Sequence, residues 1–126
     1  MTEDVDQHPY SLTTEMIATW LLSKQSETAD IEVTMADLRE NQLHIPTVAA
    51  DFDSQEAIGR ISAWVSGEFD FLVLRRANGT DAFLKHATVT ELGTPELEGV
   101  FRDFIRKMLN PSEASQDLDY TQPPEP

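Results

Sequence analysis

The sequence predicts an α+β domain, an antiparallel sheet of about five strands with an N-terminal and a C-terminal helix packed on one face. Three observations carry this expectation. Alternating apolar segments flank Ser66-Gly67 and Asn78-Gly79, turn pairs suited to hairpins. Segments with helical apolar spacing stand at both ends of the chain, around residues 16–21 and 97–109. A length of 126 residues with 40% hydrophobic content supports a single core.

The elements follow in order. Residues 1–10 carry Glu3, Asp4 and Asp6 and form a flexible lead-in, so the domain is expected over residues 11–110. Thr13 can cap the first helix, Leu12 and Ile17 are spaced as a hydrophobic staple, and Glu15 suits the positive end of the dipole. Ile17, Trp20 and Leu21 give that helix one apolar face, which should end near residues 24–26. Ile31, Val33 and Met35 alternate with polar residues as a strand, Arg39 to Gln42 is the expected turn, and residues 43–49 are a second strand bent by Pro46. Residues 51–55 read as a polar loop. Residues 58–65, 69–76 and 80–87 are then the strands of a meander.

If both meander turns hold two residues, Trp64, Phe69, Phe71, Val73 and Leu84 share one face with Ile58. Ile61, Ala63, Leu72, Leu74 and Phe83 share the other, and Arg76 stands opposite Asp81. The aromatic face is the one expected beneath the helices. The closing helix is plainly marked: Thr94 caps it, Pro95 takes the first helical position, and Glu96 and Glu98 fill the first turn. Leu97, Val100, Phe101, Phe104, Ile105 and Met108 keep helical spacing until Asn110-Pro111 stops it. Residues 111–126 are rich in Pro, Ser and acidic residues and are expected to be a disordered tail.

Charge and composition exclude several classes of function. The chain holds 23 acidic residues against 9 lysines and arginines, a formal net charge of −14. Such a field repels nucleic acid and anionic lipid and attracts basic partners. The absence of cysteine removes disulfides, thiolate metal sites and cysteine nucleophiles. The acidic start is unlike a signal peptide, and no apolar run approaches the ~20 residues of a membrane span. The expectation is a soluble, cytoplasmic protein.

No reactive constellation emerges. His8, His44 and His86 lack the spacing that presents two imidazoles to one ion. Asp51 and Asp53 could meet a hard cation, yet no calcium-loop pattern surrounds them. No serine lies in a nucleophile elbow, and Gly67 and Gly79 are single turn glycines, not a phosphate cradle. Arg75 with Arg76, and Arg102 with Arg106 and Lys107, are basic spots among acids, short of the stripe that a phosphate backbone requires. No catalytic, cofactor or metal site is expected, and the chain reads as a binder. The strip of Ile61, Ala63, Leu72, Leu74 and Phe83, ringed by Glu68, Asp70, Asp81 and Lys85, must be covered by the N-terminal strands, a second copy or a partner.

The run Gly59-Arg-Ile-Ser-Ala-Trp64-Val-Ser-Gly67-Glu-Phe-Asp70-Phe-Leu-Val73-Leu, followed by a Gly turn and a Glu-rich amphipathic helix, resembles the TriTu-type immunity proteins. Trp64, Ser66, Gly67, Asp70 and Val73 are its most telling positions, and the likeness covers residues 57–109. Val65 and Leu72 stand where acidic residues are common in that family. The resemblance implies an antitoxin, not an enzyme. Its partner would be an ADP-ribosyltransferase toxin that uses NAD to modify elongation factor Tu, delivered on Rhs-type polymorphic toxins by type VI secretion between competing bacteria. The expected contact set is Glu68, Asp70, Leu72, Leu74, Asp81 and Phe83, facing a basic toxin surface. Two other readings fit the residues alone: an acidic nucleic-acid mimic and a small secretion chaperone.

Overall fold

The computed structural model describes residues 10–28, 31–42 and 44–112. His8, Leu43, nearly all of the expected lead-in and most of the expected tail lie outside the described residues. Helix α1 spans Thr14–Thr28 and is followed by strands β1 (Thr34–Asn41), β2 (Thr47–Asp53), β3 (Ala57–Trp64), β4 (Glu68–Arg75) and β5 (Asp81–Thr88), then helix α2 (Pro95–Leu109). The strands form one antiparallel meander in chain order. Both helices lie on the same face of this sheet, α1 over β1 and β2 and α2 over β3 to β5. The α+β fold class, the five strands and the placement of both helices are as expected.

The caps work as their residue types dictate. Thr13 Oγ1 accepts from the Met16 N–H at 3.1 Å, and Thr94 Oγ1 accepts from the Leu97 N–H at 3.2 Å. Leu12 and Ile17 are both fully buried, closing the staple. Helix α1 runs on to Thr28, beyond its expected end. There the Ser26 and Thr28 hydroxyls donate to the carbonyls of Ser23 and Gln25.

Aromatic rings fill the space between sheet and helices. Phe104 meets Phe52 at 5.3 Å and Phe71 at 5.8 Å between ring centroids, and Trp20 sits edge-on to Phe69 and Phe101 at 5.8 and 5.9 Å. Helix α2 can approach β3 this closely because Gly59 has no side chain. A Cβ there would stand 2.6 Å from Met108 Sδ and 2.8 Å from the Phe104 ring.

Trp20 also belongs to a clasp between the helices. Its indole N–H donates to Glu98 at 3.0 Å, and the buried Lys24 ammonium reaches Glu98 and lies 5.3 Å from the Trp20 and Phe101 ring centroids. Burial pushes the Glu98 carboxyl upward. The hydrogen bonds from Lys24 and Trp20, with the charges of Lys24 and Arg102, outweigh that push and hold it below its ordinary value.

The strand registers correct the sequence reading at both hairpins. Ala63 pairs with Phe69, and the Gly67 N–H donates to the Trp64 carbonyl at 2.8 Å, so the first loop holds residues 65–67, three and not two. Gly67 takes φ of +102°, the left-handed position of such a loop, and a Cβ there would lie 2.1 Å from the Val89 carbonyl oxygen. In the second hairpin the Arg75 N–H donates to Thr80 O at 2.9 Å and the Gly79 N–H to Arg75 O at 2.8 Å, which makes the loop residues 76–79. Val73 pairs with Phe83 but Leu74 with Asp81, so Ala82 bulges from β5.

A one-residue slip exchanges the faces of a strand relative to its neighbour. Ile61, Ala63 and Phe83 therefore join Phe69, Phe71 and Val73 in the core, while Ile58, Trp64 and Leu84 move to the opposite face. Arg76 pairs with Asp53 at 2.6 Å instead of standing opposite Asp81.

The first two strands also differ from expectation. Residues 39–41 continue β1 and residues 51–53 complete β2, while Pro46 lies before β2 and not within it. Lys107, read as part of a basic spot on the last helix, is fully buried on the inner side of α2.

Candidate partner-binding surface

The sheet face away from the helices has no layer over it among the described residues, and the registers set its side chains in transverse rows. The first row runs Thr34, Asp53, Ile58, Leu74, Asp81 from β1 to β5, and the second Asp37, Asp51, Arg60, Leu72, Leu84. The third is Arg39, Ala49, Ser62, Asp70, His86. Beyond it Trp64 stands opposite Thr47, and Glu68 opposite Thr88.

Strand β4 supplies the middle of this face because its odd positions, Phe69, Phe71 and Val73, go to the core. Its even positions, Glu68, Asp70, Leu72 and Leu74, are left outward. Leu72, Leu74, Leu84 and Trp64 are half-buried, and Ile58 is 39% exposed, the one large apolar side chain of the sheet in that class. Together they make an apolar centre.

Charge surrounds it unevenly. Asp37 and Asp51 stand directly opposite each other on β1 and β2, a repulsive pairing. Arg39 relieves it by donating from one Nη1 to Asp37 at 2.8 Å and to Asp51 at 3.0 Å. Arg60 Nε donates to Asp51 from the other side at 2.7 Å. The Arg60 hydrogen bond, against some upward push from burial and with Arg39 added, holds the Asp51 carboxyl below the usual carboxylate range. Towards β5 the balance is acidic. Asp70 meets His86 Nδ1 at 2.7 Å, the Glu68 and Asp81 carboxylates form no ion pair among the described residues, and Arg75 Nη1 donates to the Asp81 backbone carbonyl at 2.6 Å.

The residues expected from sequence to form the contact set thus divide. Glu68, Asp70, Leu72 and Leu74 line up along β4 on the open face, and Asp81 stands beside Leu74 at its margin. Phe83 does not join them: it is 2% exposed, on the helix side. Sequence reasoning missed Ile58, Trp64 and Leu84 on this face because a two-residue hairpin loop assigns them to the core. It also missed the ion-pair ladder of Asp37, Arg39, Asp51 and Arg60, whose alternating charges at positions 37 and 39 were the available signal.

Of the histidines, His44 is exposed outside the strands and His86 is in the pair with Asp70. Among the described residues no cluster of His, Asp and Glu is arranged to hold a metal ion. No helix there is long and apolar enough to cross a membrane.

No curated protein matches this chain. Residues 15–107 match the family described as Immunity protein TriTu, a span that takes in the whole sheet and nearly all of α1 and α2. That span contains every residue of the open face, and with most of its length matched the chain belongs to the TriTu family of immunity proteins, whose partner is a toxin protein.

Proposed function

We propose that this immunity protein neutralises a cognate antibacterial ADP-ribosyltransferase toxin by seating the open sheet face on it, in the cytosol of the producing cell. The observation that carries the proposal is that face itself, an uncovered apolar centre with Glu68, Asp70 and Asp81 at its acidic margin. Desolvation of an apolar centre supplies holding strength, and a charged margin governs encounter. A net charge of −14 draws a basic toxin surface in at long range, which shortens the time that a newly made toxin stays free. Occupying the NAD cleft or the surface that receives elongation factor Tu then stops the modification without any bond being made or broken by the inhibitor.

Glu68→Lys combined with Asp70→Lys is expected to lower the association rate with the toxin by about tenfold and to flatten its dependence on salt. Stopped-flow association at two ionic strengths reads both effects. Rates equal to the parent at low and high salt would remove the β4 acids from the encounter surface.

A further inference from the structure

The open face is not flat. On its first two rows it sinks into a concavity of about 420 Å³, lined by Ile58, Leu72 and Leu74 on one side and Asp37, Asp51 and Asp53 on the other, with Arg60 between them on β3. Its origin is a bulge in β1. Met35 pairs with Phe52 and Asp37 with Asp51, which leaves Ala36 over, kinks the edge strand and aims Asp37 outward.

The carboxylates are only partly used. Asp37 accepts through Oδ2 from Arg39 and Asp53 through Oδ1 from Arg76, so Asp37 Oδ1 and Asp53 Oδ2 accept no hydrogen bond among the described residues. A carboxylate offers about four acceptor sites, so each has capacity left. Asp51, gripped by Arg39 and Arg60, is the satisfied member that holds the ladder in place.

We infer that this concavity receives a lysine or arginine side chain of the toxin, its aliphatic stem over Ile58, Leu72 and Leu74 and its cationic head between Asp37 and Asp53. The inference rests on the proposed docking of the toxin on this face. A long basic side chain matches a site that is apolar on one wall and acidic on the other, because its stem and head differ in the same way. A purely apolar anchor would strip water from two carboxylates and return nothing. An anionic group would meet the three acids of the lining, and the arginines beside them, Arg39, Arg60 and Arg76, are already engaged by those same acids. A second copy of this chain brings the same net negative charge and is repelled.

The test titrates the full chain with the toxin domain that co-purifies with it, at two salt concentrations. Asp37→Asn and Asp53→Asn are each expected to weaken binding at least about tenfold with a shallower salt dependence, at unchanged urea midpoints. Asp53→Lys is expected to lose more, and one Lys→Glu or Arg→Glu reversal in the toxin is expected to restore it. Asp37→Asn and Asp53→Asn binding like the parent, while Leu72→Arg and Glu68→Lys weaken, would overturn the basic anchor and leave the docking face standing. Parental affinity in all four variants would overturn both. A toxin-free dimer that Ile58→Glu dissociates would also overturn the inference, by placing a second copy in the concavity.

Discussion

Leu72→Arg is expected to weaken toxin binding at least about 100-fold while leaving the fold intact. Leu72 lies at the centre of the open face, opposite Arg60 on β3 and Leu84 on β5, half-buried in the free chain. Central, fully desolvated positions carry most of the energy of an interface, about 2 kcal/mol or more each, and every 1.4 kcal/mol is tenfold in affinity. The substitution removes an apolar anchor and sets a cation against a basic partner, so attraction is lost and repulsion gained. The cost to the free chain is about 1 kcal/mol or less, because the side chain reaches solvent beside Arg60 with only a cross-strand like-charge penalty. Calorimetric titration reads the affinity and urea denaturation the stability. Leu22→Arg, on the exposed side of α1, is the matched control and should bind as the parent does. A Leu72→Arg chain of parental affinity would take the centre of the face out of the interface.

Phe104→Ala is expected to destabilise the fold by about 4 kcal/mol, near the top of the range for deleting a core aromatic. Phe104 is completely buried, and its ring meets those of Phe52, Phe71 and Phe101 at 5.3, 5.8 and 6.1 Å. It also fills the space left by Gly59, where β3 itself has nothing to offer. The surrounding rings sit on three different elements and cannot collapse together into the vacancy, so transfer and cavity costs add. A small domain has about 5–15 kcal/mol in all, so this variant stands close to its unfolding threshold. Urea denaturation followed by tryptophan fluorescence measures the loss. A midpoint that shifts by less than the equivalent of about 1 kcal/mol would show that α2 is not seated on β3 as described.

Much of this architecture was legible in the sequence because its signals are local. Thr13, Thr94 and Pro95 mark helix starts through hydrogen bonds made within one turn, and the apolar spacing of α2 needs no partner to be read. The split of β4 into Phe69, Phe71 and Val73 on one side and Leu72 and Leu74 on the other also follows from alternation alone.

What alternation cannot supply is how one strand is phased against the next. That depends on loop length, and Ser66-Gly67 and Asn78-Gly79 are compatible with loops of two, three or four residues. At the first, Val65 turns inward and its N–H donates to the Pro46 carbonyl at 3.1 Å, a contact from a distant part of the chain. The three-residue loop is closed by the Gly67 N–H on the Trp64 carbonyl, with Gly67 held in turn by the Val89 N–H on its own carbonyl. The pair of slips carried Phe83 off the open face and brought Ile58, Trp64 and Leu84 onto it. The family likeness was legible for a different reason: it rests on the Trp64 to Val73 segment, whose residues are the same whatever the register.

The concavity was hidden more deeply. It needs the bulge at Ala36, the residues 51–53 in a strand instead of a loop, and the corrected face for Ile58, and none of these is a property of one segment. Lys24 shows the same limit. Its spacing from Trp20 places it on the inner face of α1, but its partner Glu98 lies on the other helix.

Methyl-resolved NMR of the chain titrated with its toxin tests the docking face most directly. The methyl groups of Ile58, Leu72, Leu74 and Leu84 are expected to shift or broaden together on binding. Those of Met16, Leu22 and Leu109, exposed on the helices, should keep their free positions. Perturbation of the helix methyls with the four sheet methyls unmoved would contradict that docking, since the toxin would then be held by the opposite side of the molecule.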